Sequence, residues 1–336
     1  MARMKILNNV EREAFEAPPQ FNAAERKKFF AVTSGLLSLI ETLRNPTTRV
    51  CLIITAGYFK AQRSFFGKQF RPADIEFVAK QLGISADEVK LQLYDRQTIT
   101  RQQSLILSHF GVNPFDENGK EFLRKEIAQM VRVQVRPKVV FVESVELLSR
   151  KKIAIPSYFT LSTMISEAIS KRQKELVQIV DRDLTKKQKE KLEQLLVKEL
   201  ETDKRYPLTL LKKPLSSMRP KKIRGKLDEL KSLLALYLDL KPLVKALDLN
   251  GESIRYYAYF VIKSKIPQVT RRTSQSQYLY LIMFIVYQTF KLHDSLIDTL
   301  LAGVQAAVNA AGKEHKEVYY QGRELRSRSF AKLARG

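Results

Sequence analysis

The segment that decides the fold reads Phe77-Val78-Ala79-Lys80-Gln81-Leu82-Gly83-Ile84-Ser85-Ala86-Asp87-Glu88-Val89. A helix-turn-helix needs a small residue where its helices pack, a glycine with positive φ in the turn, and an apolar residue one turn into the second helix. Ala79, Gly83 and Val89 meet these needs. We therefore predict a helix-turn-helix over residues 72–93, with an ordinary helical hairpin as the alternative.

Helix start and stop signals recur along the rest of the chain. Ser85 with Glu88 has the spacing of a capping box, and Gly111 is placed to end the helix that follows. Residues 131–142 fit a strand or a helix, and Pro137 favours two helices with a break between them. The sequence predicts an all-α fold of two or three helix-turn-helix-type modules joined by a basic linker.

Composition divides the chain into five predicted parts. They are an N-terminal helical domain (1–157), charged amphipathic helices (158–203), a basic linker (204–226), a second helical module (227–312) and a basic tail (313–336). The linker holds nine basic residues, three prolines and no acidic residue. Residues 243–254 in the second module again indicate helix, turn and helix.

The charge of the chain predicts its partner. There are 59 Lys and Arg against 35 Asp and Glu, a net charge of +24, and residues 151–336 hold 36 of the basic groups but only 19 of the acidic ones. Such a surface favours a polyanion, either nucleic acid or an anionic membrane face, over the alternative of a merely soluble basic protein. Together with the helix-turn-helix pattern, it predicts double-stranded DNA as the partner.

The same composition indicates where the protein resides. The longest apolar run, residues 278–287, is half as long as a membrane span, so no membrane partner is expected. Cys51 is the single cysteine and lies in an apolar stretch, which predicts a buried, inert thiol in a reducing compartment such as the cytoplasm.

Candidate DNA contacts fall into three groups. In the first module they are Ser85, Ala86, Asp87, Lys90, Arg96, Thr98 and Arg101; in the linker they are Lys212, Lys213, Arg219, Lys221, Lys222 and Arg224; in the second module they are Arg255, Lys263, Lys265, Arg271 and Arg272. The second helix of the first module would face a major groove, and the basic side chains would bind phosphates. For Tyr256, Tyr259 and Phe260 core packing is favoured over base stacking, because they share a helical face.

Catalytic signals are weak. The three histidines are scattered, there is no glycine-rich phosphate loop, and paired carboxylates such as Asp294 and Asp298 fit a solvated helix face. We therefore assign no catalytic residue, metal site or cofactor to these residues.

The order and spacing of several motifs resemble the N-terminal region of the Tn-three family of replicative transposases. The resemblance is carried by Arg49-Val50-Cys51-Leu52, Ala56-Gly57-Tyr58-Phe59-Lys60, Pro72, Val78-Ala79-Lys80-Gln81-Leu82-Gly83-Ile84, Tyr94-Asp95-Arg96-Gln97-Thr98 with Arg101, Leu147-Leu148-Ser149-Arg150-Lys151-Lys152-Ile153-Ala154-Ile155-Pro156, Leu210-Leu211-Lys212-Lys213-Pro214, Arg271-Arg272 and Leu292-His293-Asp294. The chain departs from the family at Leu52-Ile53-Ile54, near which relatives often carry Gly-Phe-Ala, and at Gln102, where they often have Trp.

The resemblance implies that the chain recognises the terminal inverted repeats of a transposon on nucleoid DNA. It also implies that a Mg²⁺-dependent three-carboxylate domain, and a homodimer contact, would belong to a region beyond residue 336. The remaining alternatives are a helical scaffold for protein partners, a non-specific nucleic-acid-binding protein, and a transposition enzyme of which these residues are one part.

Overall fold

A computed structural model describes residues 4–198, 206–215 and 219–333 of the chain. It divides the chain into two compact units, residues 1–175 and 176–336. The first unit contains α1 (Asn9–Glu16), α2 (Ala23–Phe29), α3 (Ser34–Glu41), α4 (Pro46–Gln62), α5 (Pro72–Gln81), α6 (Arg96–Phe110), α7 (Glu117–Val133) and α8 (Pro137–Arg150). Helix α9 (Tyr158–Asp183) spans the boundary, and α10 (Lys186–Gln194), α11 (Pro207–Leu211), α12 (Pro220–Leu247), α13 (Gly251–Lys263), α14 (Ile266–Thr270) and α15 (Ser274–Leu333) follow.

The protein is all-α, as its sequence predicts. The described residues form no β-strand, and Asn113 and Ile153 make an isolated parallel bridge. The ambiguous valine-rich segment is helical on both sides of a break, because α7 ends at Val133 and α8 begins at Pro137. The proline stands at the first helical position, where its missing N–H costs no hydrogen bond.

Helix α4 forms the centre of the first unit. Its residues from Val50 to Phe59 are all buried, and α2, α3, α5 and α6 pack around it. A helix that is apolar on every side belongs in a core. The expected burial of Cys51 is confirmed, and burial raises the pKa of its thiol to about 12, so the thiol stays protonated at neutral pH.

Gly57 lets α2 and α4 approach closely. A Cβ at this position would lie 2.5 Å from Cδ1 of the buried Phe30 ring and 3.0 Å from the backbone oxygen of Phe29. We expect Gly57→Ala to lower the free energy of unfolding by about 1–3 kcal/mol, because the ring has to move in a filled core. Urea denaturation followed by circular dichroism measures the effect.

The matched control for this prediction is Gly225→Ala. Gly225 lies on the exposed side of α12, where a new Cβ meets no atom within 4 Å. Alanine there should stabilise its helix by about 0.5–1 kcal/mol, since glycine loses more backbone entropy in a helix. Equal denaturation midpoints for the two variants would contradict this account of Gly57.

The predicted helix-turn-helix over residues 72–93 has only its first α-helix. Helix α5 ends before Gly83, which takes a φ of +68° as expected, and Ser85 with Glu88 forms the predicted capping box. The chain then makes two short 3₁₀ turns, Ala86–Glu88 and Leu91–Leu93, where a second α-helix was predicted.

A tertiary contact explains the difference. The hydroxyl of Thr47, at the start of α4, donates to the backbone oxygen of Glu88 (3.3 Å) and accepts from the backbone N–H of Lys90 (2.9 Å). These bonds occupy backbone groups that a continuous helix would pair internally. The prediction of a second α-helix here is therefore wrong.

The described part of the basic segment 204–226 is folded. It contains α11 and the first turns of α12, and two of its lysines form hydrogen bonds within the second unit. The Nζ of Lys226 donates to the backbone oxygen of Lys213 (2.7 Å) and to Glu229 (2.6 Å), and the Nζ of Lys212 donates to the backbone oxygen of Ser264 (2.8 Å). Residues 204, 205 and 216–218 lie outside the described residues.

Helices α12, α13 and α15 build the core of the second unit. Between α12 and α13 the chain turns through residues 248–250, with Asp248 in the left-handed region at a φ of +46°, so the predicted helix, turn and helix are present here. The apolar run Leu279–Val286 of α15 is buried in this unit. No helix in the described ranges has the length and apolarity to cross a membrane.

Residues 313–333, predicted as a basic tail, continue α15, which is 60 residues long. Residues 334–336 lie outside the described part of the chain.

Candidate nucleic-acid interface

Helix α6 begins immediately after the two 3₁₀ turns and is firmly attached to the first unit. Asp95 caps it, since its Oδ1 accepts from the backbone N–H of Thr98 (2.7 Å), and hydrogen bonds from Thr98 lower the pKa of the Asp95 carboxyl. The buried hydroxyl of Tyr94 donates to Oε1 of Gln102 (2.7 Å), and Nε2 of Gln102 donates to the backbone oxygen of Thr48 in α4 (2.8 Å). These bonds fix the rotation of α6 about its axis.

The outer face of α6 is polar and contains no acidic side chain. Its exposed residues are Arg96, Gln97, Thr100, Arg101, Ser104 and Ser108, and no Asp or Glu occurs from residue 96 to residue 115. Four of them, at positions 97, 100, 101 and 104, have the spacing of a single helical face. Arginine, glutamine, threonine and serine are the side chains that donate to and accept from base edges.

Sequence reasoning found part of this face. Arg96, Thr98 and Arg101 were predicted contacts; the two arginines are exposed, and Thr98 is half-buried. Gln97 and Ser104 were missed, because the second helix was expected between residues 85 and 93. The signal that could have found them was the uninterrupted polar spacing along α6, combined with the absence of acidic residues.

The other predicted contacts of the first unit lie on the 3₁₀ turns. Ser85, Ala86, Asp87 and Lys90 are exposed there, immediately before α6. They do not form one face of an α-helix, so the geometry expected for them in a major groove is absent.

A cluster of cations and tyrosines lies on the second unit, and we call it the tyrosine patch. It consists of Arg255, Tyr259 and Lys263 on α13 and Tyr287 and Lys291 on α15. The two rings are 5.9 Å apart, and each of the three cations lies within 5.8 Å of one of them. The three cationic side chains are exposed, while the rings are half-buried.

Hydrogen bonding and burial shift the pKa values of the two phenols in opposite directions. Nη2 of Arg255 donates to the hydroxyl of Tyr259 (3.4 Å), and this bond lowers the pKa of Tyr259. Burial raises the pKa of Tyr287. Three cationic side chains, those of Arg255, Lys263 and Lys291, lie next to the two phenols.

The expectation of core packing for the α13 aromatic residues holds only in part. The fully buried ring of this helix is Tyr257, whereas Tyr256, Tyr259 and Phe260 are half-buried. The guanidinium of Arg272 lies 4.8 Å from the centre of the Phe260 ring.

The remaining predicted contacts differ in how exposed their side chains are. The exposed ones are Lys213, Arg219, Lys221, Lys222, Arg224, Lys265, Arg271 and Arg272. Lys212 is half-buried, and burial lowers the pKa of its ammonium group. Its hydrogen bond to Ser264 makes it a tie between α11 and the end of α13.

The described residues contain no group of three or more His, Cys, Asp or Glu side chains placed to hold a metal ion. Two carboxylates of α9 also have ordinary ion-pair partners: Asp181 is 3.4 Å from Lys189, and Asp183 is 2.6 Å from Arg182.

Comparison with known proteins adds two similarities. Residues 6–168 match a family described as a domain of unknown function, DUF4158. The chain is also 26% identical over 122 residues to the transposase for transposon Tn1546 of Enterococcus faecium. That alignment covers 36% of this chain and 12% of the transposase, so the chain spans a small part of the length of this relative.

Proposed function

We propose that this chain is the DNA-binding part of a transposition protein of the Tn-three type and that it binds the terminal inverted repeats of its element. The observation that carries the proposal is the exposed, acid-free face of α6, held rigidly on the first unit. The similarity to a transposase supports a role in transposition. The motif resemblance supports the terminal repeats as the target.

Helix α6 would read the bases. It has 15 residues and is therefore about 22 Å long, and an α-helix fits the major groove of B-DNA, which is about 12 Å wide. Arg101 would pair with a guanine and Gln97 with an adenine, while Thr100 and Ser104 can serve either base. Arg96, Ser85 and Lys90 would contact phosphates on either side of the groove.

The tyrosine patch would bind the sugar-phosphate backbone. Its cations supply charge, and its two phenols supply hydrogen-bond donors that do not depend on sequence. The exposed basic residues of segments 213–224 and 265–272 extend the positive surface of this unit.

Neutralising the tyrosine patch should weaken binding to all duplexes alike. We expect the Arg255→Ala, Lys263→Ala, Lys291→Ala triple variant to reduce the slope of log affinity against log salt by about 2–3, since each lost phosphate contact removes about 0.9. Fluorescence anisotropy at four salt concentrations measures the slope. The control carries alanine at Lys187, Lys241 and Lys245, three exposed lysines elsewhere on the unit; an equal change in both variants would contradict the assignment.

The function itself is tested with two duplexes of equal length and composition, one carrying the terminal repeat of the encoding element and one a scrambled repeat. The proposal predicts tighter binding to the repeat at every salt concentration. Equal affinity for the two duplexes would favour the non-specific alternative, and no affinity at physiological salt would favour a protein scaffold. Either result would overturn sequence-specific binding.

A further inference from the structure

A cleft of about 340 Å³ lies in the first unit, where α1, the loop after α4 and the start of α9 meet. Half of the residues that line it are aromatic: Phe15, Phe65, Phe66 and Tyr158. Its volume is at the small end of the range for ligand sites, about 300–1,000 Å³. A cleft of this size and composition fits one flat, ring-shaped group.

Three of the aromatic rings have a side that is not packed in the core. Phe15, Phe65 and Phe66 are half-buried, whereas Tyr158 is buried. The Phe65 ring stacks on the buried ring of Phe59, with 4.6 Å between the ring centres and an angle of 21° between the planes. The stack covers one face of Phe65 and leaves the other face for a ligand. Every nucleobase has a π face that can stack on such a ring.

The polar side chains of the cleft suit the edge of a base. The side-chain amide of Gln69 is exposed and forms no hydrogen bond within the described chain, so it can both donate and accept. Glu16 accepts from Nε of Arg12 through its Oε2 (2.7 Å), and its Oε1 remains an acceptor. The two serine hydroxyls of the cleft already form hydrogen bonds within the protein. Gln69 and Glu16 are therefore the groups that would recognise a ligand.

A cation lies in the same loop. Lys68 is exposed, and after the hydrogen bonds from Thr98 its charge is a further cause of the lowered pKa of the Asp95 carboxyl. The rings of Phe70 and Tyr94, 5.8 Å apart, also connect this loop to the residues before α6. A phosphate attached to a base in the cleft would have Lys68 as a positive partner.

We propose that this cleft binds a nucleobase that carries an amino group, such as adenine, from a free nucleotide or from an unpaired position in DNA. The carboxylate of Glu16 only accepts, so the base must present a donor to it, and the amide of Gln69 matches the amino group and ring nitrogen of adenine. Thymine has a carbonyl oxygen in place of the amino group, which would put two acceptors together. The inference goes beyond terminal-repeat binding and does not depend on base reading by α6.

Saturation-transfer NMR of the whole chain with adenosine monophosphate tests the site. We expect the strongest transfer to the base protons, because the base is the part that enters the cleft. Thymidine monophosphate should bind more weakly, and inorganic phosphate at the same concentration should not displace adenosine monophosphate. Transfer confined to the ribose protons, or complete displacement by inorganic phosphate, would overturn the proposal.

Variants of the two polar side chains locate the binding. We expect Gln69→Ala to weaken adenosine monophosphate binding by about 2- to 10-fold and Glu16→Ala by about 10-fold, since each removes one hydrogen bond to the base. Glu16→Gln supplies a donor as well, so it should reduce the preference over thymidine monophosphate. The controls Gln129→Ala and Glu13→Ala, exposed on α7 and α1, should bind as the wild type does. Equal affinities for control and cleft variants would overturn the assignment.

Two duplexes of the same sequence, one fully paired and one with a single bulged adenine, distinguish the sources of the base. Tighter binding of the bulged duplex by the wild type, lost in Gln69→Ala, assigns the base to DNA. Equal affinity for the two duplexes, together with binding of adenosine monophosphate, assigns it to a free nucleotide. A chain that neither contacts the base of adenosine monophosphate nor prefers the bulged duplex would contradict the proposal.

Discussion

Asp74→Ala is expected to lower the free energy of unfolding of the first unit by about 3–5 kcal/mol, the usual cost of removing one partner from a buried ion pair. The Asp74 side chain is fully buried. Nε of Arg26 in α2 donates to its Oδ1 (2.7 Å), and the hydroxyl of Tyr58 in α4 donates to its Oδ2 (2.7 Å). One carboxylate on α5 therefore joins three helices.

The substitution leaves both donors without their acceptor in the core. Tyr58 also accepts from the backbone N–H of Arg71 (3.2 Å), so the start of α5 should loosen as well. Denaturant titration followed by circular dichroism measures the loss. Asp74→Asn keeps an acceptor for Tyr58 but removes the charge opposite Arg26, and it should lose less stability than Asp74→Ala.

Glu76→Ala is the matched control, because Glu76 is exposed on the same helix two residues away. Its free energy of unfolding should stay within about 0.5 kcal/mol of the wild type. If Asp74→Ala and Glu76→Ala unfold at the same denaturant concentration, the three-helix junction is not the stabilising contact described here.

Arg101→Ala is expected to weaken binding to the terminal repeat by about 1–3 kcal/mol, roughly 5- to 150-fold, while binding to a scrambled duplex changes far less. The reason is that a guanidinium paired with a guanine contributes to one sequence only. Competition between the two duplexes measures the ratio of affinities directly. Arg124→Ala, which removes an exposed arginine from α7, is the control and should leave that ratio unchanged.

A loss of equal size on both duplexes would contradict base reading by Arg101. It would assign the residue to the phosphate backbone instead, since phosphate contacts carry no sequence information.

Local signals in the sequence predicted much of this fold. The capping pair Ser85 with Glu88 is formed, and Gly83 and Gly111 both take positive φ. Each of these features depends on residues within one turn of a helix, so the neighbouring sequence contains the necessary information.

Features that depend on distant contacts could not be predicted in this way. The capping box at Ser85 is present, yet the hydroxyl of Thr47 holds the following backbone in 3₁₀ turns. In the sequence, Lys212 is one of several cations in a basic segment. In the structure its ammonium group donates to the backbone oxygen of Ser264, 52 residues away at the end of α13. Local spacing does not show such partners.

For the same reason, the sequence placed the candidate site one helix too early in the chain. The sequence placed the reading helix at residues 85–93, whereas the exposed polar face belongs to α6. Arg96 and Arg101 were identified because their charge alone marks them. Gln97 and Ser104 became candidates only when the structure showed which side of α6 is exposed.

The central claim, that α6 reads a DNA sequence, is tested most directly by selecting bound duplexes from a random library with the whole chain. The comparison protein carries alanine at Gln97, Thr100, Arg101 and Ser104. We predict that the wild type enriches one defined motif and that the variant retains salt-sensitive affinity without enriching it. Enrichment of no motif by the wild type, or of the same motif by both proteins, would contradict the account.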